Sequence, residues 1–254
     1  DGHAPDQLGD QAKFDQVFGL DLTEHIGQAA LQLAFENSTG NYISRMDADD
    51  VMPTNKLEIL LKSARENQDA IITGFVKYFG DSAISDGYRD YQNWLNARVK
   101  NADFEKHIFR ECVLASPNWL THRKNIKAVL PFSAHTYPED YDLCFRFYKY
   151  GLNVVSQDEI MLYWRDYSTR NSRTDPNYAN QLFYELKLKY FFEIDFNPSK
   201  KLTIWGVGRK GKSLMKLVKQ YQDLVVWVSD NPNKIKHNIY DVIIEKSDVI
   251  DKDN

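Results

Sequence analysis

The sequence predicts an α/β protein built on a mainly parallel sheet, followed by a separate β-α-β unit. Two observations carry that prediction. Through the first 80 residues, apolar positions switch back and forth between helical and strand spacing. Near the C-terminus, Gly206-Val207-Gly208-Arg209-Lys210-Gly211 stands between a strand pattern and a helix pattern. The 254 residues are 43% hydrophobic and 13% aromatic, enough apolar material for a packed core and unlike a disordered chain. A net charge of −4 is far from the basic footprint of nucleic-acid-binding domains, so no nucleic-acid partner is expected. Cys112 and Cys144 cannot build a disulfide framework; they suit a reducing, cytoplasmic compartment and read as core residues. No run approaches the ~18 apolar residues of a membrane span. The opening Asp1-Gly2-His3-Ala4-Pro5-Asp6 has no signal-peptide pattern, and without an initiator Met it leads us to expect sequence upstream.

Residues 1–19 are polar and rich in turn formers. Ile26, Ala29, Ala30, Leu33 and Ala34 then mark one helical face, stopped by Asn37-Ser38-Thr39-Gly40. Tyr42–Met46 reads as a short strand whose end delivers Asp47-Ala48-Asp49-Asp50. Pro53 and Thr54 are expected to open the next helix, where a missing N–H costs nothing, with Leu57, Leu60, Leu61 and Ala64 on its buried face. Ala70–Val76 follows as a strand, and 88–112 as an aromatic-rich helical stretch. Residues 113–138 read as irregular. An acidic helix is predicted from Glu139 to Gly151, then two short strands near 153–156 and 160–165. A polar loop over 166–176 and a helix over 178–193 complete this part. After a linker at 195–201 come a strand at 202–205, a glycine turn, a helix over 211–221 and a strand at 224–228.

Asp47 and Asp49 lie at i and i+2 at the carboxyl end of a strand, the edge outside which α/β sheets bind ligands. Two such carboxylates can bring oxygens to one hard cation, Mg²⁺ or Mn²⁺. An EF-hand loop is excluded by Val51 and Met52. The competing reading is a solvated turn, with Asp50 favourable to a helix start.

The run Thr39-Gly40-Asn41-Tyr42-Ile43-Ser44-Arg45-Met46-Asp47-Ala48-Asp49-Asp50 resembles the core segment of family 2 glycosyltransferases, inverting nucleotide-sugar enzymes of GT-A fold. Tyr137-Pro138-Glu139-Asp140-Tyr141-Asp142-Leu143 resembles that family's Glu-Asp-x-Asp-Leu helix start. Tyr163-Trp164-Arg165-Asp166-Tyr167-Ser168 resembles its Tyr-Arg-x-His-x-x-Ser segment, with Tyr167 where the family has His. The likeness covers roughly residues 1–175. It implies a GT-A domain over 1–194 that lacks its first strand and helix, with Asp1-Gly2 as a remnant of the family's Asp-Asp-Gly. It also implies Mn²⁺ or Mg²⁺ at Asp49 and Asp47, with Asp47 alternatively on the nucleotide ribose and Asp50 as a lesser candidate. Asp140, paired with Glu139, would be the base, already ionised at neutral pH if its pKa is the ordinary ~3.9. For Glu139, Asp140 and Asp142 the competing role is stabilising a helix N-terminus. Arg165 and Arg170, with Arg173, would face the diphosphate, and Trp119 and His122 fall where the family often binds acceptor. The implied partners are a nucleotide-diphospho-sugar donor and a glycan or lipid-linked acceptor, as in polysaccharide biosynthesis. Peripheral membrane association and self-association are expected on the same ground.

The tail, 202–254, looks like half of a Rossmann domain. Gly206, Gly208 and Gly211 fit the dinucleotide fingerprint, with Asp230 ending the next strand. A Walker A register ending in Gly211-Lys212-Ser213 also fits formally, but the strand–helix context and Asp230 favour the fingerprint. One β-α-β unit cannot enclose a dinucleotide, so docking of subunits or acceptor is the expected role. Two readings compete with a metal-dependent inverting glycosyltransferase. One is an NAD-binding oxidoreductase module through Gly206–Gly211; the other is a non-catalytic nucleotide-sugar-binding module.

Overall fold

The computed structural model describes residues 26–130, 138–167 and 180–250. Helix α1 (Ile26–Asn37) leads into strand β1 (Tyr42–Ser44), helix α2 (Lys56–Glu66) and strand β2 (Ala70–Phe79). Helix α3 (Asp86–Asn101) follows, then strand β3 (Trp119–His122) running directly into α4 (Arg123–Val129). Helix α5 (Glu139–Lys149), strand β4 (Asn153–Arg165) and helix α6 (Asn180–Tyr190) close the first part, and a π-helical turn (Phe191–Asp195) extends α6. The tail contains β5 (Leu202–Trp205), α7 (Arg209–Val218), β6 (Val225–Val228), β7 (Asn238–Ile239) and β8 (Val242–Glu245). No described helix is long and apolar enough to cross a membrane.

The first sheet has the order β1-β3-β2-β4. β2 and β4 run parallel, while β3 is antiparallel to both β1 and β2. The carboxyl ends of β1, β2 and β4 therefore share one edge. Both faces are buried, as a mainly parallel sheet requires. Ile72 and Leu120 pack with Leu60 and Ala64 of α2. Their neighbours Ile71 and Trp119 point to the other face, against Tyr141, Phe145 and Phe147 of α5.

Strand β3 and helix α4 occupy residues expected to be irregular. Four residues are too few for an alternation to declare itself. Polar side chains here bond to the neighbouring strand: Thr121 Oγ1 donates to the Ala70 carbonyl at 2.7 Å and Asn118 Nδ2 to the Gly74 carbonyl at 2.7 Å. The two strands expected at 153–165 are one. Gln157 pairs with Gly74 and Ile160 with Phe75, so Asp158 and Glu159 form a bulge rather than a break. Gly74 permits it, since a Cβ there would lie 2.5 Å from Met161 Cγ and 2.9 Å from the Glu159 carbonyl. Pro53 also sits earlier than expected: α2 begins at Lys56, whose N–H closes a turn onto the Pro53 carbonyl at 3.1 Å.

The second sheet has the order β5-β6-β8-β7, with β5, β6 and β8 parallel. β8 adds a parallel strand to the β-α-β unit read from sequence. Its core holds Met215, Trp227 and Ile244, and Leu188, Tyr184 and Phe192 from α6 and its extension pack into it. Leu186 and Tyr190 of the same helix belong to the first core. Helix α6 thus serves both cores.

Candidate functional site

The end of β1 turns through Asp47–Asp50, and two contacts hold that turn against β4. The Arg165 backbone N–H donates to Asp50 Oδ1 and its side-chain Nε to the Asp49 carbonyl, both at 2.8 Å. Val51 and Tyr163 then exchange backbone hydrogen bonds at 3.0 Å. Arg165 also lies over the Phe79 ring at 4.5 Å, so its guanidinium braces the turn from the strand end. Arg170 and Arg173 lie outside the described residues, as do His135 and Tyr137.

Arg45 is the residue that joins the two acidic motifs. Its Nε meets Asp47 Oδ1 at 2.8 Å and its Nη1 lies 3.7 Å from Glu139 Oε1. The strand-end acids and the start of α5, nearly a hundred residues apart in sequence, thus form one cluster. Burial opposes the Arg45 charge, but Asp47, Glu139 and Asp140 outweigh it and raise its pKa.

The start of α5 is anchored by Tyr141, which is fully buried and donates its hydroxyl to the Ile108 carbonyl. Its ring stacks on Phe145, which stacks in turn on Tyr190. The acids of the first turn have divided roles. Asp142 is structural, paired with Arg146 Nε at 2.8 Å and accepting from the Tyr190 hydroxyl at 2.8 Å. Asp140 accepts the Tyr141 N–H at 2.8 Å and faces the site. Burial, then the neighbouring Glu139 charge, push its pKa up to about 7 against the pull of Arg45 and the backbone. The ordinary carboxylate value assumed from sequence is thereby corrected: Asp140 is poised near neutrality.

Lys56 escaped sequence reasoning because it looks like a surface residue of a helix start. It is fully buried, donating to the Pro117 carbonyl at 2.7 Å beside Met46 Sδ at 3.9 Å. Burial lowers its pKa to about 8, with Asp50 and Asp47 pulling it back up. The unfolded chain keeps this proton to the ordinary 10.5. Between about 8 and 10.5 it therefore binds more protons than the folded chain, and stability rises with pH across that window. Lys56→Met is expected to flatten the rise, which urea unfolding at a series of pH values will read.

Trp119 and His122 do not reach the site. Trp119 is buried in the core, edge-on to Phe147 with ring centroids 5.9 Å apart. His122 pairs with Tyr42 at the amino end of β1, the opposite sheet edge, where its Nδ1 accepts the Lys124 N–H at 3.1 Å and caps α4. Cys112 and Cys144 are free thiols in the core, with sulfurs 3.6 Å apart. Asp230 of the tail accepts from Trp205 Nε1 at 3.1 Å and from Ser247 Oγ.

The donor set fits a hard divalent cation of one kind. Among the described residues no three His, Cys, Asp or Glu side chains converge as a cage. Asp47 is committed to Arg45, while the Asp49 carboxylate accepts no hydrogen bond from a described residue. A cation held here would take one or two carboxylate oxygens and complete its shell with phosphate and water, which suits Mg²⁺ or Mn²⁺.

Comparison with known proteins gives a family match and a shared fold. Residues 6–129 match the model of glycosyl transferase family 2. Among solved structures, S. aureus TarS 1-349 in complex with UDP-GlcNAc superposes with a TM-score of 0.51 at 11% identity, over 86% of this chain and 61% of that one. A second structure of S. aureus TarS 1-349 gives a TM-score of 0.47 at 12% identity, over 86% of this chain and 60% of that one. The chain thus spans about 61% of the length of the structure it resembles. Residues 6–129, just under half of the chain, thus resemble glycosyl transferase family 2, and the chain shares the GT-A fold of the TarS structure.

Proposed function

We propose that this chain transfers a sugar, with inversion, from a nucleotide-diphospho-sugar to a hydroxyl of a glycan or lipid-linked acceptor. The observation that carries the reading is the Arg45 bridge, which makes the Asp47–Asp49 turn and the Glu139–Asp140 pair a single site. In the reaction the acceptor oxygen bonds to the sugar's anomeric carbon as the bond to the diphosphate breaks. Asp140 takes the acceptor proton as that bond forms. A base whose pKa is about 7 is well matched to this task near neutral pH. Glu139 raises the Asp140 pKa through its charge, and Arg45 opposes that rise. Asp49, with Asp47, would hold a divalent cation, which when bound neutralises charge growing on the departing diphosphate. Arg165 keeps the Asp49 turn in place.

The test is a thermal-shift titration of the chain with UDP and GDP, each with and without Mn²⁺. UDP comes first because the TarS structure of this fold was solved with UDP-GlcNAc. Stabilisation that needs both one nucleotide and the cation supports the reading, at about 2.7 kcal/mol when ligand is 100 times its dissociation constant. No shift with either nucleotide counts against it.

A further inference from the structure

The tail carries a feature that sugar transfer does not use. A cavity of about 530 Å³ lies between the two parts of the chain. One wall is β5 and the start of α7, with Trp205, Lys210 and Gly211. The opposite wall is α6 and the segment before Cys112, with Tyr184, Lys187 and Arg110. A lone β-α-β unit cannot enclose a nucleotide; here the first domain supplies the missing wall. We propose that this cavity binds a nucleoside diphosphate, with the phosphates at Arg110, Lys187 and Lys210 and the base against Trp205.

Three features support the assignment. The cavity runs along β5 from Thr203 to Trp205 at its carboxyl end, the end at which parallel sheets bind ligands, and its volume is that of a small-molecule site. Three cations from three separate segments line it with one carboxylate, Glu111, whose Oε1 is already engaged by the Cys112 N–H at 3.1 Å; the Arg110 guanidinium also lies 6.0 Å from the Trp94 ring and the Lys187 ammonium 5.5 Å from the Tyr141 ring. Lys187 donates to the Arg110 carbonyl at 2.8 Å; burial lowers its pKa, with Glu111 pulling it back up and the nearby Lys210 adding a smaller push down. A cation whose charge burial already opposes is favoured by a bound anion. The glycines are also placed as a phosphate loop needs. Gly206 has φ +107, a Cβ on Gly211 would lie 2.0 Å from the Gly206 carbonyl, and a Cβ on Gly208 would meet nothing within 4 Å. The first two make the turn tight, and the third leaves the backbone uncovered at the start of α7, next to Lys210 and Gly211, which line the cavity.

Trp205 is 66% exposed yet fixed, because its Nε1 donates to Asp230. A held, accessible indole is a platform for a base. Both Asp230 oxygens are committed, one to Trp205 and one to Ser247. The acid that would otherwise grip a dinucleotide's ribose is thus occupied. The site should therefore take a mononucleoside diphosphate at least as well as NAD.

Isothermal titration of the full chain with ADP, UDP, NAD and inorganic pyrophosphate, in EDTA, tests this without engaging a cation-dependent donor site. ADP or UDP should bind saturably, and the preferred one names the base. The double variant Arg110→Ala, Lys210→Ala changes two exposed side chains and should weaken that binding about tenfold or more, at unchanged melting temperature. Asp49→Ala should leave it unchanged, so this result stands apart from the fate of the donor-site reading. Absence of saturable binding up to about 5 mM, or binding that the double variant retains, overturns the proposal. Pyrophosphate binding as tightly as every nucleotide overturns the base-binding part and leaves a bare anion site.

Discussion

Asp140→Asn is expected to cut sugar transfer by about 10²–10⁴-fold while leaving nucleotide binding intact, because it removes the proton acceptor and keeps the shape. The pH dependence makes the assignment specific. A base must be deprotonated to act, so the wild-type rate should climb as pH rises through about 7, the pKa to which burial and Glu139 push Asp140. The residual activity of the Asn variant should lack that limb. Stability should move the opposite way. The ordinary value is 3.8, so between there and about 7 the folded chain binds the proton that the unfolded chain has released. Wild-type stability therefore falls as pH rises through that window. Asn carries no such charge, and the variant should melt higher than wild type at pH 8. Arg45→Met supplies the control: it removes the cation that pulls the Asp140 pKa down, so the rate limb should shift to more alkaline pH. An Asn variant of near-normal rate, or a limb that Arg45→Met leaves in place, would assign the base to another group.

How much of this was legible in the sequence depended on whether the deciding interaction was local. Helix α1, strand β1 and the helix starting at Glu139 were readable because apolar spacing and end signals lie within a dozen residues. The bulge in β4 was not, because Gln157-Asp158-Glu159 looks like a turn until Gly74 on the partner strand makes room for it. Strand β3 was hidden for the same reason: Thr121 and the preceding Asn118 donate to carbonyls of β2, far away in the chain. The acids of the candidate site could be named from their motifs. The residues that set their charge could not: Arg45 reads as one more strand residue and Lys56 as an exposed helix start, and only tertiary packing puts both beside the carboxylates. Trp119 shows the converse, an aromatic in a suggestive position whose ring the core has already taken.

Asp49→Ala is expected to abolish Mn²⁺-dependent nucleotide binding without weakening the fold, a combination that separates it from its neighbour Asp47. The turn is held through the Asp49 backbone carbonyl, which alanine keeps, and through Asp50, which is untouched. No described residue donates a hydrogen bond to the Asp49 carboxylate, so the ligand-free variant should melt within about 0.5 kcal/mol of wild type. A cation with only one or two protein oxygens has little to spare, however. Losing one should remove the whole stabilisation of about 2.7 kcal/mol expected with nucleotide at 100 times its dissociation constant. Asp47→Ala behaves differently, because that carboxylate is the 2.8 Å partner of Arg45. Its loss turns the guanidinium wholly toward Glu139 and Asp140, which should destabilise the ligand-free chain and move the Asp140 rate limb to lower pH. Parallel melting curves with and without Mn²⁺ and UDP read both variants at once. If Asp49→Ala keeps the full cation-dependent shift, the cation is not held at this turn, and the role of the strand-end acids reduces to orienting Arg45.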